Sequence, residues 1–66
     1  MTMYLYNMKR GSFFKILSEE VSPSEVYYFK HIDGMYSVCY NSNGSLIHIN
    51  IMAPVKVVDR PEDWVD

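Results

Sequence analysis

Residues 25–52 read EVYYFKHIDGMYSVCYNSNGSLIHINIM, and the two turn signals inside this stretch decide the fold. Asp33-Gly34 and Asn43-Gly44 are the dipeptides most favoured in tight hairpins, because both tolerate the positive φ that a turn between twisted strands requires. The runs around them, Val26–Ile32, Met35–Tyr40 and Ser45–Ile51, are rich in Tyr, Phe, Ile and Val. Such side chains suit a pleated, half-buried surface. The stretch therefore reads as a three-stranded antiparallel meander.

A two-residue turn at each signal sets a register. The first pairs Ile32 with Met35, Phe29 with Val38 and Tyr27 with Tyr40. The second pairs Ser42 with Ser45, Tyr40 with Ile47, Val38 with Ile49 and Tyr36 with Ile51. One face then carries Tyr27, Phe29, His31, Tyr36, Val38, Tyr40, Ile47, Ile49 and Ile51. All but His31 are apolar or aromatic, so this face is the expected core. The other face is mixed: Val26, Tyr28, Lys30, Ile32, Met35, Ser37, Cys39, Asn41, Leu46, His48, Asn50 and Met52. Because side chains alternate along a strand, a one-residue slip would bury Lys30 and Asn50 and expose the isoleucines.

A sheet with one buried face needs a lid. Short strands at Ser12–Ser18 and Val55–Val58 can supply it, with a further segment at Met3–Asn7. The loop Glu19–Ser24 is long, and Ser22-x-x-Glu25 is read as a turn although it matches a helix capping box. Five short strands with one long loop and tight hairpins suit an all-β, five-stranded SH3-like barrel built around the meander. An open curled sheet completed by a second chain is the alternative. Residues 1–10 then form an N-terminal strand or arm. Residues 59–66 form an acidic tail or a single helical turn opened by Pro61, which either folds Trp64 back onto the domain or docks as an acidic-aromatic tail on a basic partner.

The stretch Val26–Tyr40, followed by Gly44–Ile49 and preceded by Lys9-Arg10-Gly11-Ser12-Phe13-Phe14-Lys15-Ile16, resembles small phage-encoded SH3-like proteins of unassigned role. The resemblance implies an accessory viral protein acting in a bacterial cytoplasm. It carries no catalytic motif.

Composition limits the function classes. A chain of 66 residues makes one domain, and so small a core rarely supplies more than ~3–5 kcal/mol. The single cysteine excludes an internal disulfide, and no Cys/His spacing matches structural zinc. Ten aromatic residues, or self-association, must provide the missing stability. A lone thiol, the lack of a 7–15-residue apolar run near the N-terminus and the lack of ~20 apolar residues in a row point to a soluble cytoplasmic protein. The net charge of −2, with six Lys and Arg in total, argues against a groove-binding duplex-DNA protein.

The mixed face supplies the candidate partner-binding residues: Tyr28, Lys30, Ile32, Met35, Cys39, Leu46, His48 and Met52. Together they form an apolar rim around a polar centre, a pattern that monomers seldom leave exposed. Either the Met1–Met8 segment covers this face or a partner does. In this register Cys39 lies between Tyr28 and His48. A thiol beside an imidazole is the start of a nucleophilic site, but no third group orients the imidazole and no oxyanion donors can be named. Catalysis is therefore not expected, and neither a cofactor nor a metal is implied. His31, beside the Asp33-Gly34 turn, reads as a rim residue.

A second candidate set, Tyr4, Tyr6, Lys9 and Arg10, places alternating tyrosines before two cations. That is the chemistry of a single-stranded nucleic-acid contact. The expectation that emerges is a small protein-interaction module that binds a host or viral protein and self-associates, with nucleic-acid binding as the alternative.

Overall fold

A computed structural model describes residues 3–17 and 25–64. The loop Glu19–Ser24 and the first residues of the Ser22–Glu25 turn lie outside these. Six strands form: β1 (Met3–Tyr4), β2 (Phe13–Ile16), β3 (Tyr27–Asp33), β4 (Tyr36–Tyr40), β5 (Leu46–Asn50) and β6 (Pro54–Val58). They make one antiparallel sheet in the order β1-β6-β2-β3-β4-β5, which hydrogen bonds do not close into a barrel. The expected meander is β3-β4-β5. The expected lid strands are β2 and β6, and β6 returns to pair along β2 from Phe13↔Val58 to Ile16↔Val55. The N-terminal strand is shorter than expected. After β1 the chain turns into a 3₁₀ turn at Leu5–Asn7, where the Tyr4 N–H donates to Asn7 Oδ1 at 3.3 Å.

Both hairpin registers differ from the sequence-based ones. In the first hairpin the two turn residues are Gly34 and Met35, so Asp33 pairs with Tyr36 and Ile32 with Ser37. Gly34 takes the first turn position at φ +66°, where a Cβ would be strained. A β-bulge then falls between Phe29 and His31, and beyond it Phe29 pairs with Cys39 and Tyr28 with Tyr40. The bulge sets Lys30 and His31 together against Val38.

In the second hairpin the loop has three residues, 42–44, not two. Asn41 causes the change. Its Oδ1 accepts the N–H groups of Asn43 (3.0 Å) and Ser45 (2.9 Å), and its own N–H donates to the Ser45 carbonyl. Gly44 closes the loop at φ +83°. The pairs become Tyr40↔Leu46, Cys39↔Ile47, Val38↔His48, Ser37↔Ile49 and Tyr36↔Asn50.

The consequence is that β4 presents the opposite face to the one expected. Ser37 and Cys39 point inward. Tyr36, Val38 and Tyr40 point outward, with His31 opposite Val38 rather than opposite Tyr36. Tyr27, Phe29, Ile47 and Ile49 remain inward as expected, and Ile51 lies in the turn before β6. The buried core consists of Leu5, Met8, Phe14, Phe29, Cys39 and Val55, with Ile16, Tyr27, Ile47 and Ile49 packed around it. Leu5 and Met8 come from the N-terminal segment. That segment covers the inner face of the sheet, not the face that carries Lys30 and His48. Its backbone is tied down by bonds from the Leu5 N–H to the Ala53 carbonyl (3.0 Å) and from the Tyr6 N–H to the Ile51 carbonyl (3.1 Å).

Candidate functional site

The new register separates Cys39 from His48. Cys39 pairs with Ile47 on the inner face, while His48 pairs with Val38 on the outer face. Cys39 is fully buried, so it cannot belong to a partner-binding surface. Its sulfur lies 3.2 Å from Ser37 Oγ, and Ser37 Oγ donates its proton to the Ile49 carbonyl at 2.9 Å. A hydroxyl has one proton to give, so the thiol is the donor to Ser37. Burial in apolar surroundings pushes the thiol pKa up, and the Ser37 hydrogen bond opposes this only in part. A protonated thiol sealed in a core is a packing group rather than a nucleophile.

The other candidate partner-binding residues fall into two groups. Tyr28, Lys30, Leu46 and His48 lie on the outer face. Ile32, Met35 and Met52 lie at one end of the sheet, where the β3–β4 turn meets the turn after β5. The Ile51 N–H donates to the Met35 carbonyl (3.1 Å), and the Ile51 carbonyl accepts from Tyr6. This places the exposed side chains of Tyr6, Ile32, Met35, Tyr36 and Met52 around one end of the domain. Met35 is 62% exposed and Met52 55%. Sequence reasoning left Tyr36 out of this group because the mistaken register buried it.

The outer face carries a row of directly opposed side chains across five strands: Val58, Phe13, Tyr28, Tyr40 and Leu46. Its rings touch in sequence. Phe13 and Tyr28 have centroids 5.2 Å apart, and Tyr28 and Tyr40 6.3 Å. Trp64 meets Phe13 edge-on at 5.1 Å, with the turn Pro61–Trp64 closed by the Trp64 N–H and the Pro61 carbonyl. The tail therefore docks on its own domain. Cations border the row. Arg60 stands over Phe13, and Lys30 stands over the Tyr40 ring and donates to its hydroxyl at 3.4 Å. Lys15 and Lys56 are directly opposed on the same face, and among the described residues neither has an ion-pair or hydrogen-bond partner. Like charges opposite one another cost stability.

The second candidate set is arranged differently from the sequence expectation. The 3₁₀ turn brings Tyr4 and Tyr6 onto each other, nearly parallel at 5.7 Å, so one face of each ring is already covered. Lys9 and Arg10 are exposed in the turn that precedes β2. Among the described residues no group of three His, Cys, Asp or Glu side chains could hold a metal ion, and no helix is long and apolar enough to cross a membrane. No protein-family model, curated protein or solved structure matches the chain.

Proposed function

We propose that the protein is a small interaction module whose apolar end, formed by Tyr6, Ile32, Met35, Tyr36 and Met52, docks on another protein. The observation that carries this reading is that five exposed apolar side chains lie around one end of so small a domain. Apolar surface gathered in one region is costly to leave in water and often marks a contact site. The finer architecture we propose is SH3-like: β2 to β6 follow one another as short strands, and β6 returns beside β2. With the sequence resemblance, this supports a phage accessory protein that engages a host or viral protein in the bacterial cytoplasm, without catalysis of its own.

The test is affinity capture from a bacterial lysate with the intact protein and with the Met35→Asp/Met52→Asp variant. The variant should melt close to the wild type, since exposed substitutions change stability by about 0.5 kcal/mol or less. It should lose a partner that the wild type retains. If the wild type retains no specific protein, or both hold the same proteins equally, the reading fails.

One observation favours nucleic-acid binding as a second reading. The aromatic row with the unpartnered Lys15 and Lys56 offers ring faces for bases and cations for phosphates. The carboxylates of Asp59, Glu62 and Asp63 near Trp64 weigh against it. If it is right, single-stranded oligonucleotides bind at low salt, and affinity falls with log[salt] at a slope of about −0.7 per phosphate neutralised. Lys15→Gln/Lys56→Gln should flatten that slope without lowering the melting temperature. Absence of binding at low salt rules this reading out.

A further inference from the structure

We infer that β5 is a dimerisation edge, through which a second copy of this chain adds antiparallel about a two-fold axis at His48. The inference goes beyond the interaction-module reading above, because this edge is a separate surface from the apolar end.

Two hydrogen bonds fix which backbone groups face this edge. At one end of the β4–β5 ladder the Asn41 N–H donates to the Ser45 carbonyl, and at the other the Ile51 N–H donates to the Met35 carbonyl. In an antiparallel ladder, bonded pairs recur at every second residue. Ser37/Ile49 and Cys39/Ile47 are therefore the bonded pairs, and the N–H and C=O groups of Leu46, His48 and Asn50 point away from β4. The Asn50 carbonyl is taken by the Ala53 N–H at 3.0 Å. Among the described residues nothing pairs with the outward groups of Leu46 and His48, because β5 ends the sheet. An edge of this kind is a template for another strand unless it is guarded by proline, charge or a bulge. β5 reads Leu-Ile-His-Ile-Asn and has none of these.

The occupant follows from the symmetry of the strand. Antiparallel pairing about His48 sets His48 against its own copy, Leu46 against Asn50, and Ile47 against Ile49. The axis is perpendicular to the sheet, so the inner faces of both copies stay on one side. Ile47 and Ile49, only half-buried in one chain, would then form a four-isoleucine cluster continuous with both cores. The contact is isologous and closes at two copies.

The experiment uses the full chain. Sedimentation equilibrium at tens of micromolar should give twice the chain mass of 7.8 kDa. In the bonded antiparallel geometry the two copies of residue 48 have Cα atoms about 5.5 Å apart, within disulfide range. Mild oxidation of His48→Cys should therefore yield a covalent dimer on a non-reducing gel. Asn50→Cys should not, because its counterpart is Leu46. His48→Pro removes only an outward-facing N–H, so it should keep the wild-type circular dichroism and sediment as a monomer. A monomeric wild type, or a dimer that His48→Pro leaves intact and His48→Cys does not trap, overturns the inference. In the latter case, dissociation by Met35→Asp would show that the apolar end is the contact, and the interaction-module reading would stand without the edge dimer.

Discussion

Leu5→Ala is expected to bring the melting transition down to near room temperature or abolish it. Leu5 is fully buried, and it enters the core from outside the sheet. It sits in a 3₁₀ turn whose backbone is anchored to Ala53, so the site cannot easily collapse around a smaller side chain. Truncating a buried leucine costs about 2–5 kcal/mol. That range overlaps the entire ~3–5 kcal/mol that a core of this size supplies. The next residue provides the control. Tyr6 is 44% exposed, and Tyr6→Ala loses mainly its stack on Tyr4. Circular dichroism melts should show the first variant largely unfolded at 37 °C and the second close to the wild type. Equal melting of the two would mean that the N-terminal segment is not part of the core.

The strands were legible in the sequence, but their register was not. The meander and the two lid strands followed from turn residues and strand chemistry, whereas the sequence left open whether Trp64 docks on its own domain or on a partner. The register failed for two local reasons that side-chain patterning does not encode. Asn41 uses its side chain to cap the loop, which lengthens the loop by one residue. In the other hairpin the turn sits one residue later than expected, at Gly34-Met35, and the bulge at Lys30 leaves a net shift of one residue beyond it. Both errors fall on β4, and they cancel across it. The inward residues of β5, and Tyr27 and Phe29 of β3, were therefore right, while His31 and every residue of β4 were assigned to the wrong face. Val38 contributed to the error, because it is buried on the outer face, between His31 and His48. An apolar residue on a strand thus did not identify the core side.

That reversal of β4 reshapes each candidate site. It dismantles the pairing of Cys39 with His48, exposes Tyr36 to join the apolar end, and adds Tyr40 to the outer aromatic row. It also sets which groups of β5 face the open edge, because the parity of the β4–β5 ladder decides whether His48 or Ile49 points outward. The orientation of β4 is therefore the claim on which the surfaces depend.

Cys39 reports on it directly. A buried thiol with a raised pKa favours the folded state below its ordinary value of 9.0, and that contribution is lost as pH rises through the folded-state pKa. Stability should therefore fall at alkaline pH, and Cys39→Ala should lessen the fall. The more direct measurement is the rate of iodoacetamide alkylation at pH 8, for the native protein and for the chain in guanidinium chloride, followed by mass spectrometry. If Cys39 points inward, alkylation must wait for the domain to open. The native rate should then be roughly a hundredfold to several thousandfold slower, the factor set by an opening free energy of ~3–5 kcal/mol. Native alkylation at the rate of the denatured chain would place Cys39 on the surface and contradict the orientation of β4.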